Sequence, residues 1–146
     1  MSVAELLNTA ITRPLTDAEL SELNEINTGL DTTLGVNYTV VSRKQVRAQI
    51  SVAEGHLQPF GLVNGGVFCS LAESTGSLLA MILADGQPVA GVNNTTDMIS
   101  SVKAGVVTVI AAPLHNGATT QLISVECFQR DRLVARTTLR TIRLEG

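Results

Sequence analysis

Along the second half of the chain, apolar and polar residues alternate with the two-residue period of a half-buried strand. Ile123, Val125 and Cys127 share one side, while Ser124 and Glu126 share the other. Residues 89–102, 105–112, 120–129 and 133–144 all read as strands on this pattern and on their β-branched content. Asn116-Gly117 and the run Gln129-Arg130-Asp131-Arg132 mark turns between them. Earlier, residues 33–41 and 46–53 predict a hairpin closed by Ser42-Arg43-Lys44-Gln45.

The alternation breaks once. Residues 65–84, GGVFCSLAESTGSLLAMILA, form a long apolar run that Asp85-Gly86-Gln87-Pro88 stops. The run has the length of a membrane span. Its serines, threonine, glycines and single carboxylate predict a buried central helix instead. Residues 1–30 read as helical in patches, with Thr16 and Glu19 spaced as a capping box. The order is therefore helix, two strands, long helix, four strands. An antiparallel sheet wrapped around one helix accounts for it, an α+β architecture with an N-terminal helical segment (1–30) ahead of the sheet-and-helix domain (31–146).

Composition narrows the function. The 146 residues suffice for one domain with a real core. Hydrophobic residues make up 45% and charged residues 16%, a surplus of apolar surface that predicts self-association. The net charge of -3, and basic residues scattered along strands, argue against nucleic-acid binding. Cys69 and Cys127 have no disulfide or zinc spacing, and His56 and His115 are too isolated for a metal cluster. The opening residues lack a secretion signal's basic start and apolar core, so a cytoplasmic location is expected.

The candidate chemistry sits on the long helix. Glu73 is the only charged residue from 65 to 84. A carboxylate there is costly unless it is paired or reaches a wet cleft, where it serves as base or nucleophile. Ser70 and Ser77 lie within one turn of it on the same face. Periodicity alone leaves open the alternative that Glu73 simply faces solvent. Gly65-Gly66 follow Asn64, a natural cap. The unpartnered N–H groups at such a start favour charge developing on an oxygen, although a glycine entry into a crowded helix is the commoner reason for such a pair.

The segment GHLQPFGLVNGGVFCSLAESTGSLLA resembles the signature of PaaI-like hotdog acyl-CoA thioesterases, in their aryl-CoA branch. GVNNTTDMISSVKAG, the PLHNG turn and the closing DRLVARTTLRTIRL extend the resemblance over about residues 30–144. It implies a curved sheet around a "sausage" helix, active sites between subunits of a homodimer, and a homotetramer built as a dimer of dimers. It implies hydrolysis of an acyl-CoA, with no metal or other cofactor. Glu73 matches the catalytic acid, as nucleophile or as base for water. Gly65 matches the amide that polarises the carbonyl, Gln58 a loop glutamine near the acyl group, and Ser77 the hydroxyl one turn beyond the acid. Gly66, Phe68, Met98 and Ile99 are expected near the acyl group. Ala118, Thr119 and Thr120 match the segment that holds coenzyme A, contributed by a neighbouring subunit. Asn64 stands where the family usually has His, which keeps a non-catalytic acyl-CoA-binding protein as the alternative. His56 and His115 are expected to be solvated loop residues.

Overall fold

The computed structural model describes residues 1–145. Three helices open the chain: α1 (Val3–Thr12), α2 (Asp17–Ile26) and the single turn α3 (Leu30–Leu34). The strands β1 (Asn37–Val41) and β2 (Val46–Ser51) follow, then a 3-10 turn (Glu54–His56) and the long helix α4 (Gly65–Leu83). The chain ends with β3 (Val89–Met98), β4 (Val106–Asn116), β5 (Thr120–Gln129) and β6 (Arg132–Arg143). All six strands form one antiparallel sheet in the order β1-β2-β4-β5-β6-β3.

The inner face of that sheet packs on α4. Ile123, Val125 and Cys127 are buried there, as their alternation predicts, between half-exposed Ser124 and Glu126. Burial pushes the Cys127 thiol up to about 12. Leu71, Leu79 and Ile82 of α4 join them in a core that also takes in Leu6, Ala10 and Leu23 from α1 and α2. The membrane-length helix is thus enclosed by its own sheet and the N-terminal helices. The capping box at Thr16 is present, and Arg13 joins it: the guanidinium and the Thr16 N–H hold the Glu19 carboxyl down at about 2.

Three strand boundaries differ from the pattern, each for a local reason. The first strand begins at Asn37 rather than 33, because Leu34 closes α3 and Gly35 caps it in a left-handed conformation. The strand beginning at Val89 stops at Met98 rather than 102, because the Ile99 and Ser100 N–H groups both turn onto the Val134 carbonyl. Val102 then crosses to accept the Val63 N–H, just before α4 begins. The next strand runs on to Asn116, past the expected end at 112, by absorbing Pro113 in a bulge.

Helix α4 has no basic residue in its last turn. Donors from elsewhere serve its carbonyls: the cation Arg43 donates to Ile82 O at 3.1 Å, and Arg143 and the neutral Asn116 donate to Leu83 O at 3.4 and 3.3 Å. At mid-length, Gly76 lets the helix lie flat on the sheet. A Cβ there would stand 2.6 Å from Leu139 Cδ2 and 3.4 Å from Val125 Cγ2. Leu139 is fully buried and has nowhere to go. Gly76→Ala is therefore expected to lower stability by about 1–3 kcal/mol through overpacking. This outweighs the roughly 1 kcal/mol that alanine gains in helix propensity. A lower melting temperature and urea midpoint check it.

Candidate active site

The loop before α4 is pinned at several points. His56 is buried, contrary to the expectation of a solvated loop residue. Its Nδ1 accepts the Ala53 N–H at 2.9 Å, which leaves the proton on Nε2 to donate to Leu34 O at 2.8 Å. Both ring nitrogens are consumed by structure, so the imidazole has no free position for proton transfer. His115 is exposed, as expected. The His56 carbonyl accepts the Asn64 N–H at 2.9 Å, fixing the point where the helix begins.

Asn64 is the N-cap, with extended backbone (φ -60°, ψ 133°) and Oδ1 accepting the Gly66 N–H at 2.8 Å. The cap function is thus met without an imidazole. It also occupies the Gly66 amide. The Gly65 N–H, at the first helical position, has no acceptor among the described residues. A Cβ at Gly65 would stand 2.7 Å from Met98 Cε, so only glycine lets Met98 lie across the helix opening.

Gln58, Gly65, Phe68, Met98 and Ile99, separated by up to 41 positions in sequence, border one cavity of about 280 Å³. Ser100 and Ser101 complete its rim. Gln58 Oε1 accepts the Phe60 and Leu62 N–H groups at 2.5 and 3.3 Å. Its carbonyl is thus spent on its own loop, leaving its NH2 as the group free for a ligand.

Glu73 is half-buried and faces β3, not open solvent. Its Oε1 rests so close to the Gly91 backbone that a Cβ there would be 2.1 Å away. Its Oε2 lies 3.5 Å from Asn94 Nδ2, which also donates to Cys69 O at 3.0 Å. Ser77 is half-buried one turn further along the same face. Neither Gly91 nor Asn94 was legible as a site residue. The only signal was a glycine and a polar run, AGVNNTTD, inside a strand that otherwise promised apolar inner positions.

Two groups of the expected residues stay apart. Ala118 and Thr119 lie in the β4–β5 turn and Thr120 opens β5; Asn116, at the turn's other end, binds the last turn of α4. The 19-residue length of α4 separates that end from Gly65. Glu73 and Gly65 are eight residues apart on one helix, which is about 12 Å along the axis and about 80° around it. No single carbonyl can touch both within one chain. Between them runs β3, paired to β6 on one side only. Val92, Met98 and Ile99, at 50%, 53% and 51% exposed, stand along it, and Phe60 nearby in the loop is 90% exposed. Among the described residues no cluster of His, Cys, Asp or Glu is placed to hold a metal ion.

Comparison with known proteins agrees with this architecture. The thioesterase superfamily model matches residues 60–135, which include the helix opening, Glu73 and β3. A Mycobacterium tuberculosis protein provisionally named an esterase is 39% identical over 121 residues, spanning 80% of this chain and 86% of its own. The chain belongs to the thioesterase superfamily. The solved structure of the mycobacterial protein superposes with a TM-score of 0.77, at 40% identity over 80% of this chain and 97% of that one. A 1,4-dihydroxy-2-naphthoyl-CoA hydrolase from Listeria monocytogenes is 32% identical over 99 residues, 67% of this chain and 80% of the relative. The Escherichia coli PaaI protein shares the hotdog fold, with a TM-score of 0.79 at 18% identity over 99% of this chain and 98% of that one. Hydrolysis of a thioester is the general activity that membership supports.

In this thioesterase the Gly91 contact has a direct test. The atoms a Cβ would strike are the far end of a flexible side chain, so Gly91→Ala should keep its fold while pushing the Glu73 carboxylate aside. With Glu73 as the reacting carboxylate, a displacement near 1 Å predicts a loss of about a hundredfold in kcat. Turnover of an acyl-CoA, alongside an unchanged melting temperature, checks it.

Proposed function

We propose that the protein hydrolyses acyl-CoA thioesters at sites shared between two copies of the chain, Glu73 coming from one and the Gly65 amide from the other. The observation that carries this proposal is that the free Gly65 N–H and the half-buried Glu73 belong to residues eight positions, about 12 Å of axial rise, apart on one helix. An unpaired strand edge lies beside both. Pairing β3 with its own copy in antiparallel fashion places the Glu73 end of one strand opposite the Gly65 end of the other. It also buries Val92 and the exposed edge, which isolated chains must otherwise protect.

At such a site the thioester carbonyl oxygen accepts the Gly65 N–H, whose direction and helix dipole favour the oxyanion. The Glu73 carboxylate either attacks the carbonyl carbon, giving a mixed anhydride that water then hydrolyses, or removes a proton from the water that attacks; by either route water supplies the acid's oxygen and the thiol's proton. The carbon–sulfur bond breaks, coenzyme A leaves as its thiol, and the acyl group ends as a free acid. The Gln58 NH2 is free to hold the acyl group or the water, and Ser77 lies beside the carboxylate. No metal or cofactor is required by these steps. Phe68, Met98 and Ile99 give the cavity an apolar lining suited to an aromatic acyl group. The Listeria relative, named for a naphthoyl-CoA, supports that choice. Ala118, Thr119 and Thr120 would hold coenzyme A from a neighbouring subunit.

Glu73→Gln should cut kcat by roughly a thousandfold or more on a panel of aryl-CoAs and medium-chain acyl-CoAs, measured by release of the free thiol. Unchanged turnover would remove Glu73 from the chemistry. The sharing of sites has its own test. Gly65→Pro deletes the amide hydrogen at a helix position whose backbone suits proline, and Asn64 already has the backbone shape that precedes proline; the ring displaces only the flexible end of Met98. Each variant alone should be inactive. Co-expressed, they form mixed dimers with one intact site, and about a quarter of wild-type activity should return. Absence of any recovery would place both groups in a single-chain site.

A further inference from the structure

We propose that Asn94 is a positioning residue for the Glu73 carboxylate, with its amide oriented by the Cys69 carbonyl and braced from behind by the Thr96 and Thr137 hydroxyls. The inference rests on Glu73 being the catalytic carboxylate. It concerns residues outside both the helix and its opening loop.

The chain follows from the sheet register. Thr96 of β3 is paired directly with Thr137 of β6. Asn94 lies two positions before Thr96, so both side chains project from the same face of the strand. That face is the inner one, because Thr137 is buried and Asn94 reaches the carbonyl of Cys69 on α4. The Thr96 and Thr137 hydroxyl oxygens are 2.6 Å apart. Thr96 Oγ1 donates to Asn94 Oδ1 at 2.8 Å. A hydroxyl has one proton, so Thr96 must receive the hydrogen bond of Thr137 while giving its own to Asn94. Every donor in the row therefore points toward α4. At its end the Asn94 NH2 divides its two hydrogens between Cys69 O at 3.0 Å and Glu73 Oε2 at 3.5 Å.

Reversing the Asn94 amide would set its oxygen against the Cys69 carbonyl and the Glu73 carboxylate, and its NH2 against the Thr96 hydroxyl. The hydroxyl could accept from the NH2, but two oxygen-to-oxygen contacts could not be satisfied, so Cys69 O and the Glu73 carboxylate select the orientation and the Thr96 hydroxyl braces it. That orientation presents a donor to one carboxylate oxygen while Gly91 bounds the other. With both oxygens located, the ionised carboxylate has one direction left in which to meet a substrate. The 3.5 Å separation of Asn94 from Oε2 is long for a resting hydrogen bond; such contacts in an unliganded site tighten when substrate is bound.

Steady-state kinetics with an acyl-CoA test this on Asn94→Leu, Thr137→Val and Thr137→Ser, with Glu73→Gln as reference. Asn94→Leu keeps the branched side-chain shape while deleting both donors, and Thr137→Val keeps the shape while deleting the hydroxyl behind Thr96. The expected result is a kcat lowered about tenfold or more in Asn94→Leu and several-fold in Thr137→Val, on the scale of one hydrogen bond to a charged group. KM should stay within about twofold, because the row orients the carboxylate and leaves ground-state binding alone. Thr137→Ser retains the hydroxyl and should run close to wild type. A merely structural role would instead lower the melting temperature of all three and leave kcat per folded molecule unchanged. Wild-type kcat in both Asn94→Leu and Thr137→Val, beside an inactive Glu73→Gln, would overturn the inference and leave the catalytic assignment standing. An active Glu73→Gln would overturn both.

Discussion

The molecule depends on a fixed distance along a helix. A carboxylate and an unpartnered amide sit on α4, eight residues apart, and the helix cannot shorten the roughly 12 Å of axial rise between their residues. Everything around α4 holds these two groups rigid. The sheet presses on it through Gly76, cations from other elements satisfy its last carbonyls, and the Asn64 cap with its buried His56 anchor sets where it starts. Rigidity of this kind suits catalysis only if something else closes the gap. The unpaired edge of β3, which runs past both groups, is the element able to bring in a second chain.

Small residues mark the places where groups of the site approach backbone. Gly65 admits Met98 across the helix opening, and Gly91 admits the Glu73 carboxylate beneath β3. In each case a methyl group would fill the space that the neighbouring side chain occupies. The substitution of Asn64 for the family's usual histidine is accommodated in the same local terms. The side-chain oxygen caps the Gly66 amide, and the role of a charged ring is not needed to hold the helix start in place.

Much of the architecture was legible from the chain itself. The alternation in β5, the turn after Asn116, the Thr16 capping box and the apolar run of α4 all report local physics, and they appear in the structure where their patterns fall. The geometry of the helix opening was legible where it is built from sequence neighbours, as with the Asn64 cap before Gly65. The site was illegible where it depends on register. Gly91 and Asn94 gain their meaning only when β3 pairs with β6 and curls over α4, a contact between residues about twenty positions apart. His56 was misplaced for a related reason. Its burial comes from Leu34 and Ala53 closing around the ring, and nothing in its own neighbourhood along the chain signals that.

The most direct measurement is a crystal structure with a non-hydrolysable acyl-CoA thioether or ketone analogue bound. The account predicts the carbonyl oxygen, or the atom replacing it, at hydrogen-bond distance from Gly65 N of one chain, with the Glu73 carboxylate of a second chain facing the carbon. An analogue bound with its acyl carbon beyond reach of any Glu73, or touched by groups from a single chain only, would contradict it.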